Sequence, residues 1–186
     1  MNTRHSRLTD WGLSHVTVKP EDRILDVGCG GGRTVNKLSA LASKGKVFGI
    51  DYSEASVSVA RKLNARRIQE GRVEVLAGSV SQLPFQRDTF DLVTAVETHF
   101  WWPDLPAGMR EILRILGPGA TGLIVAEIYK GAPSKTARFA ERLSLMTLLS
   151  PEEHRILFTD AGYSDVEIIT EPAKGWICAM GKKPSA

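Results

Sequence analysis

Ile24-Leu25-Asp26-Val27-Gly28-Cys29-Gly30-Gly31-Gly32-Arg33 is the stretch on which the fold turns. It is an apolar run of strand length that ends in a glycine-rich bend and passes straight into a helix-like segment. Glycine at positions 28 and 30 permits backbone conformations and close approaches that a side chain would block, so a flat ligand can lie against the main chain. About 20 residues onward, the spacing that a ribose-binding unit requires, comes Val47-Phe48-Gly49-Ile50-Asp51. A second apolar strand thus ends in a carboxylate suited to a ribose diol. The two features together imply a bound adenosyl cofactor.

Glycine spacing separates the cofactor classes that use such a bend. In the dinucleotide fingerprint G-x-G-x-x-G, the third glycine allows close packing of a helix whose N-terminus faces a pyrophosphate. Counted from Gly28 the third position is Arg33, and the observed order is G-x-G-G-G-R. A long side chain at that contact suits a nicotinamide dinucleotide poorly. Glycine bends between strands and helices also serve purely structural ends, and Asp51 is what tips the reading toward a ligand.

Outward from this unit, short apolar runs recur at Ile24 to Val27, Val47 to Ile50, Val73 to Leu76, Leu92 to Val96 and Leu123 to Ile128, with helix-period segments between most of them. Nearly unbroken apolar runs suit strands buried on both faces, and their alternation with helices implies a parallel sheet. Ser53 is placed to cap the helix after Asp51. Leu105, Met109, Ile112 and Leu116 recur at helical spacing before Gly117-Pro118-Gly119. Ser150-Pro151-Glu152-Glu153 reads as a capping box with proline at the first helical position, and Gly162 offers the stop. Two more strand-like runs, Val166 to Thr170 and Trp176 to Met180, follow with only five residues between them, too few for a crossover helix. The expected fold is α/β: a doubly wound, mostly parallel, seven-stranded Rossmann-like sheet with a C-terminal antiparallel hairpin, in one domain over 1–186 with an N-terminal arm over 1–22.

Composition narrows the function classes. A chain of 186 residues with 42% hydrophobic content builds one sizeable core. No run approaches the ~18 uninterrupted apolar residues of a membrane span, and no apolar signal core follows the N-terminus, so a cytoplasmic protein with no membrane partner is expected. Cys29 and Cys178 have neither disulfide-framework nor metal-ligand spacing; both read as reduced, buried thiols, with no metal. Arg61, Lys62, Arg66, Arg67 and Arg72 form a basic run, yet alternation with apolar residues is the mark of a solvated helix face more than of a nucleic-acid surface.

With its elements in this order, the chain resembles the class I S-adenosylmethionine-dependent methyltransferases, over about Arg23 to Lys183. The resemblance rests on the glycine bend, Asp51, Ala77-Gly78-Ser79-Val80, Leu83-Pro84-Phe85, Phe90-Asp91-Leu92-Val93, Leu113-Arg114-Ile115-Leu116-Gly117-Pro118-Gly119 and the terminal hairpin. The small bacterial members that act on small molecules are the nearest group. The resemblance implies S-adenosylmethionine as cofactor and S-adenosylhomocysteine as product. It implies that Gly28, Cys29 and Gly30 carry the methionyl part, that Asp26 orients the amino group, and that Asp51 accepts from the ribose hydroxyls. Tyr52 would pack on adenine. Ser79 stands where the family commonly has an acid toward the adenine amino group, beside the Val80 amide, and Glu97 reads as a cofactor-side or structural acid. Each carboxylate has an ordinary alternative, Asp51 as a helix cap and Asp26 as an acceptor for backbone amides.

Glu97-Thr98-His99-Phe100-Trp101-Trp102-Pro103-Asp104 leaves the carboxyl end of the fourth strand, which in this fold borders the transferable methyl group. Phe100, Trp101 and Trp102 would wall the substrate pocket, excluding water and attracting a cation, with at least one of them packing on neighbouring helices instead. His99 is the candidate catalytic base, with an unperturbed pKa near ~6.5; a satisfied loop histidine is the alternative. The 130–149 segment, with Phe139, Leu143, Leu145, Met146 and Leu148, is a candidate substrate lid or a dimer-contact helix, and the arm bearing His5, Trp11 and His15 could fold over the cofactor. Two other functions stay open, an NAD(P)-dependent oxidoreductase and a non-catalytic S-adenosylmethionine-binding protein. The expected partner is a small-molecule substrate, with the chain a monomer or homodimer.

Overall fold

A computed structural model describes residues 3–133, 137–139 and 146–185. The chain opens with α1 (Thr3–Leu13) and then runs β1 (Arg23–Val27), α2 (Arg33–Leu41), β2 (Lys46–Asp51), α3 (Glu54–Leu63), a short α4 (Ala65–Gln69), β3 (Val73–Ala77) and β4 (Phe90–Val96). A 3-10 turn over His99–Trp101 leads to α5 (Leu105–Ile115), β5 (Leu116–Ala126), α6 (Pro151–Ala161), β6 (Ser164–Glu171) and β7 (Trp176–Lys182). The seven strands lie in the order β3-β2-β1-β4-β5-β7-β6. β1 to β5 are parallel, and β7 runs against both its neighbours. This is the doubly wound α/β sheet with the hairpin that the sequence implied.

Register assigns each apolar residue to a face. Ile24 aligns with Val47 of β2 and Leu92 of β4, and these residues pack with Val35 and Leu38 of α2 and Val57 and Ala60 of α3. Leu25 and Val27 point the other way, into a cluster with Met109 and Ile112 of α5 and Leu157 and Phe158 of α6. Alternation along a strand and helices on both sides follow from the same fact: each strand has two apolar faces to cover. The N-terminal arm lies on the first face. Leu8 of α1 is buried there, and Trp11 meets Trp176 of β7 at 5.6 Å between ring centroids.

The local signals are realised as chemistry. Ser53 caps α3 by accepting from the Ser56 amide, and Ser150 and Glu153 form the reciprocal capping box of α6, which ends at Gly162 in left-handed conformation. The passage from α5 to β5 differs, since β5 spans Leu116–Ala126, through Gly117-Pro118-Gly119, and not Leu123 to Ile128. Leu116, on helical spacing with Met109 and Ile112, is instead the extended first residue of β5, drawn out of the helix by pairing with Phe90 of β4. The basic run is largely spent locally: Arg61 donates twice to the Val75 carbonyl, while Arg66 and Arg72 both pair with Glu70. Among the described residues, no helix is long and apolar enough to cross a membrane, and no group of three or more His, Cys, Asp and Glu side chains could hold a metal ion.

Candidate active site

β1 and β4 are neighbours in the sheet, yet the chain leaves β1 toward β2 and β3 and only later returns to β4 on the other side. At such a switch point the connections diverge and leave a crevice at the carboxyl ends of the strands. The glycine bend occupies that crevice. Gly28 has φ 69°, and a Cβ on it would lie 2.1 Å from Thr98 Oγ1, so the bend is pressed against the end of β4. Gly30 has φ 51°, and a Cβ there would meet nothing within 4 Å. One glycine is required by packing and the other faces open space, as a backbone platform for a ligand would.

Two carboxylates flank the platform. Asp51, at the end of β2, accepts from the Gly30 amide at 2.8 Å and from the Ser53 amide at 2.9 Å, which fixes both its oxygens and ties the bend to the start of α3. An ionised carboxylate offers about four acceptor positions, so two remain for ribose hydroxyls. Capping and ribose binding are therefore compatible. Asp26 is buried and accepts from Thr94 Oγ1 at 2.7 Å, because parallel register sets Asp26 opposite Thr94. Burial, with the nearby Asp51 charge adding to it, raises the Asp26 carboxyl to about 7 against the lowering by Thr94. The Cys29 amide donates to the Ile50 carbonyl, and burial followed by the two carboxylates pushes its thiol far above the usual range, so it packs without reacting.

The adenine-side residues stand as follows. Tyr52 is 84% exposed beside Asp51 and has no ring partner of its own to leave. Ser79 lies in a turn in which its hydroxyl accepts from the Ser81 amide, and Val80 is buried beneath it. Glu97 adopts φ 58°, rare for a side chain with a Cβ, and its carboxylate accepts from the Glu127 amide. That bond ties the end of β4 to the end of β5.

Beyond Thr98 the aromatic trio divides. Phe100 is buried with Tyr129 and Ile177, Trp102 packs down on α5 at Gly108, and Trp101 is 57% exposed. His99 differs from the near-neutral base expected of an ordinary imidazole. It is buried, and burial, reinforced by His154, pushes its pKa down to about 3. Its Nε2 lies 3.2 Å from Nε2 of His154. His154 was missed in the sequence, although a signal existed: His154, Leu157, Phe158 and Ala161 form the i, i+3, i+4, i+7 stripe that α6 buries. Thr94 was missed because its partnership depends on strand register.

The 130–149 segment, the candidate lid or dimer-contact helix, falls partly outside the described residues, Leu143 and Leu145 among them. Of its described part, Phe139 is exposed, while Met146 and Leu148 pack on the Phe100 cluster and the Thr147 amide donates to the Phe100 carbonyl. The arm's His5 also lies outside the described side chains, and His15 packs edge-on to Trp11 at 5.0 Å.

Comparison with known proteins agrees with this geometry. The family model described as a methyltransferase domain matches residues 24–119, from the start of β1 into β5. An uncharacterized methyltransferase of Bacillus subtilis, YdaC, is 28% identical over 189 residues, covering all of this chain and 96% of that protein. A demethylmenaquinone methyltransferase of Bacillus cereus is 34% identical over 117 residues, 62% of this chain and 49% of that protein, so the likeness spans about half of its length. Among solved structures, a chain of the complex between the Haloferax volcanii Trm112 methyltransferase activator and a methyltransferase superposes with a TM-score of 0.84 at 24% identity, covering 98% of this chain and 91% of that one. This last likeness bears on the fold. A family match over more than half of the chain, on the very elements that build the crevice, places this protein in the methyltransferase domain family.

Proposed function

We propose that this chain transfers a methyl group from S-adenosylmethionine to an oxygen, nitrogen or carbon atom of a small molecule. The observation that carries the reading is the open face of Gly30 between two buried carboxylates, Asp51 and Asp26. Asp51 would take the ribose hydroxyls with its two remaining acceptor positions, and Asp26 the amino group. Gly28, Cys29 and Gly30 would bear the methionyl chain on their main chain. Tyr52, Ser79 and the Val80 amide would border adenine. Glu97 would hold the β4 end of the crevice in shape. When bound, the sulfonium supplies an electrophilic methyl group. The chain's own task is to hold a nucleophile in line and to keep water out. His99, Phe100, Trp101 and Trp102 would border the acceptor from the end of β4, with Trp101 turned outward at the rim.

A small-molecule acceptor is supported by the relative named for demethylmenaquinone. Incubating the protein with a metabolite extract and labelled S-adenosylmethionine, then identifying the labelled species, tests the reading. Binding without any label would instead mark a cofactor-binding protein without catalysis. A nicotinamide enzyme would be stabilised in a thermal shift by NAD(P) rather than by S-adenosylmethionine.

A further inference from the structure

Hydrogen-bond chemistry fixes the protons on two buried imidazoles. The Ser150 carbonyl, anchored by the capping box, accepts the His154 amide at 2.9 Å and faces His154 Nδ1 at 2.8 Å. A carbonyl only accepts, so Nδ1 carries the proton, and the Nε2 of a neutral His154 is a bare lone pair. His99 Nε2, at 3.2 Å, must then be the donor. It follows that Nδ1 of His99 is unprotonated. This nitrogen is buried and has no hydrogen-bond partner. An orphaned buried acceptor is destabilising, and a phenyl ring would fill the same space without that cost. The orphan stands at the carboxyl end of β4, one residue beyond the Thr98 side chain that backs Gly28.

We infer that His99 and His154 form a two-imidazole relay, in which His99 Nδ1 receives the proton of the methyl acceptor and His154 Nε2 takes the proton displaced from His99 Nε2. The inference rests on the methyl-transfer reading above. The acceptor's O–H or N–H bond breaks and its electron pair becomes the new bond to the methyl carbon. The donor's carbon–sulfur pair stays on sulfur. The positive charge that leaves the sulfonium reappears on His154. Burial disfavours charge on both rings, but at His154 the Ser150 carbonyl and the Glu153 carboxylate oppose it, whereas at His99 burial is reinforced by His154 itself, so His154 is the better seat of the two. Ionisable groups on the adjoining elements are engaged elsewhere: Glu153 with Lys130 after β5, and Glu111 with Arg114 on α5. His154 never touches the acceptor; it acts through His99 by positioning its lone pair.

Two measurements test the relay. Long-range proton–nitrogen correlation spectra of the histidine-labelled protein should show His99 protonated at Nε2 and bare at Nδ1; a proton on His99 Nδ1 would overturn the inference. Single-turnover methylation of the extract species by labelled S-adenosylmethionine is then compared in His154→Phe, which can neither accept nor carry the proton, and His154→Gln, whose carbonyl still accepts from Nε2. Loss of general-base assistance should slow the Phe variant about 100-fold and the Gln variant about 10-fold, with cofactor affinity by calorimetry within about twofold of the wild type. A rate within about threefold of the wild type in the folded Gln variant sinks the relay even if the Phe variant does not fold. If the wild type labels nothing, the methyl-transfer reading falls and the relay with it; label with undiminished variant rates refutes the relay alone.

Discussion

Asp26 shows how a single residue can carry both a stability term and a binding term. Its folded-state value of about 7 lies above the ordinary 3.8, so the folded chain holds this proton more tightly than the unfolded one. Stability from this group is therefore greatest below the unfolded value, declines as pH rises from about 4 to about 7, and is flat above. Denaturant unfolding of the cofactor-free protein should lose on the order of 3 kcal/mol between pH 5 and pH 8 through this group, and Asp26→Asn, which still accepts from Thr94, should abolish that slope. Binding runs the opposite way, because an ammonium group needs the ionised acid: affinity for S-adenosylmethionine by calorimetry should weaken about tenfold per pH unit below pH 7 in the wild type and not in Asp26→Asn. For Asp51, replacement by Ala removes the ribose acceptors along with the bonds to Gly30 and Ser53. Its affinity should fall at least about tenfold, whereas unchanged binding would contradict the ribose assignment.

At the scale of elements, the N-terminus of α6 does two things at once. Ser150 and Glu153 satisfy each other's amides, and the Ser150 carbonyl orients His154. Ser150→Ala should cost about 1 kcal/mol in urea unfolding. Element identity was largely legible in the sequence because periodicity and caps are local: every strand-like run falls on a strand, and the helices after Ser53, Asp104 and Ser150 are present, although β5 begins seven residues before its apolar run and ends inside it. Leu116 was not legible. Its helical spacing was sound, but pairing with Phe90 across the sheet outweighed it. The aromatic trio was legible as an unusual cluster, but not in the three directions its rings take, since each ring answers to a different neighbour.

For the molecule as a whole, the sheet divides the core in two, and the halves carry different burdens. The face covered by α1, α2 and α3 supports the glycine bend, while α6, on the other face, supports His99 after β4 through His154. Phe158 sits fully buried in the second cluster beside Tyr163, with ring centroids 4.9 Å apart. Phe158→Ala should lower global stability by about 3–5 kcal/mol. Circular dichroism melts would register this as a large drop in midpoint, and a small change would show that the cluster collapses around the gap.

What the amino-acid sequence determined by itself was the alternation of strands and helices, the bend at Gly28 to Gly30, and the placing of Asp26 and Asp51 at strand ends, because those depend on short-range pattern and on the backbone freedom of glycine. Tertiary structure alone decided that Thr94 meets Asp26, that Asp51 ties the Gly30 and Ser53 amides together, and that His99 is neutral and paired with a histidine 55 residues away. Register and burial set those contacts. A proton's position depends on what surrounds a nitrogen in space, and no spacing along the chain records that.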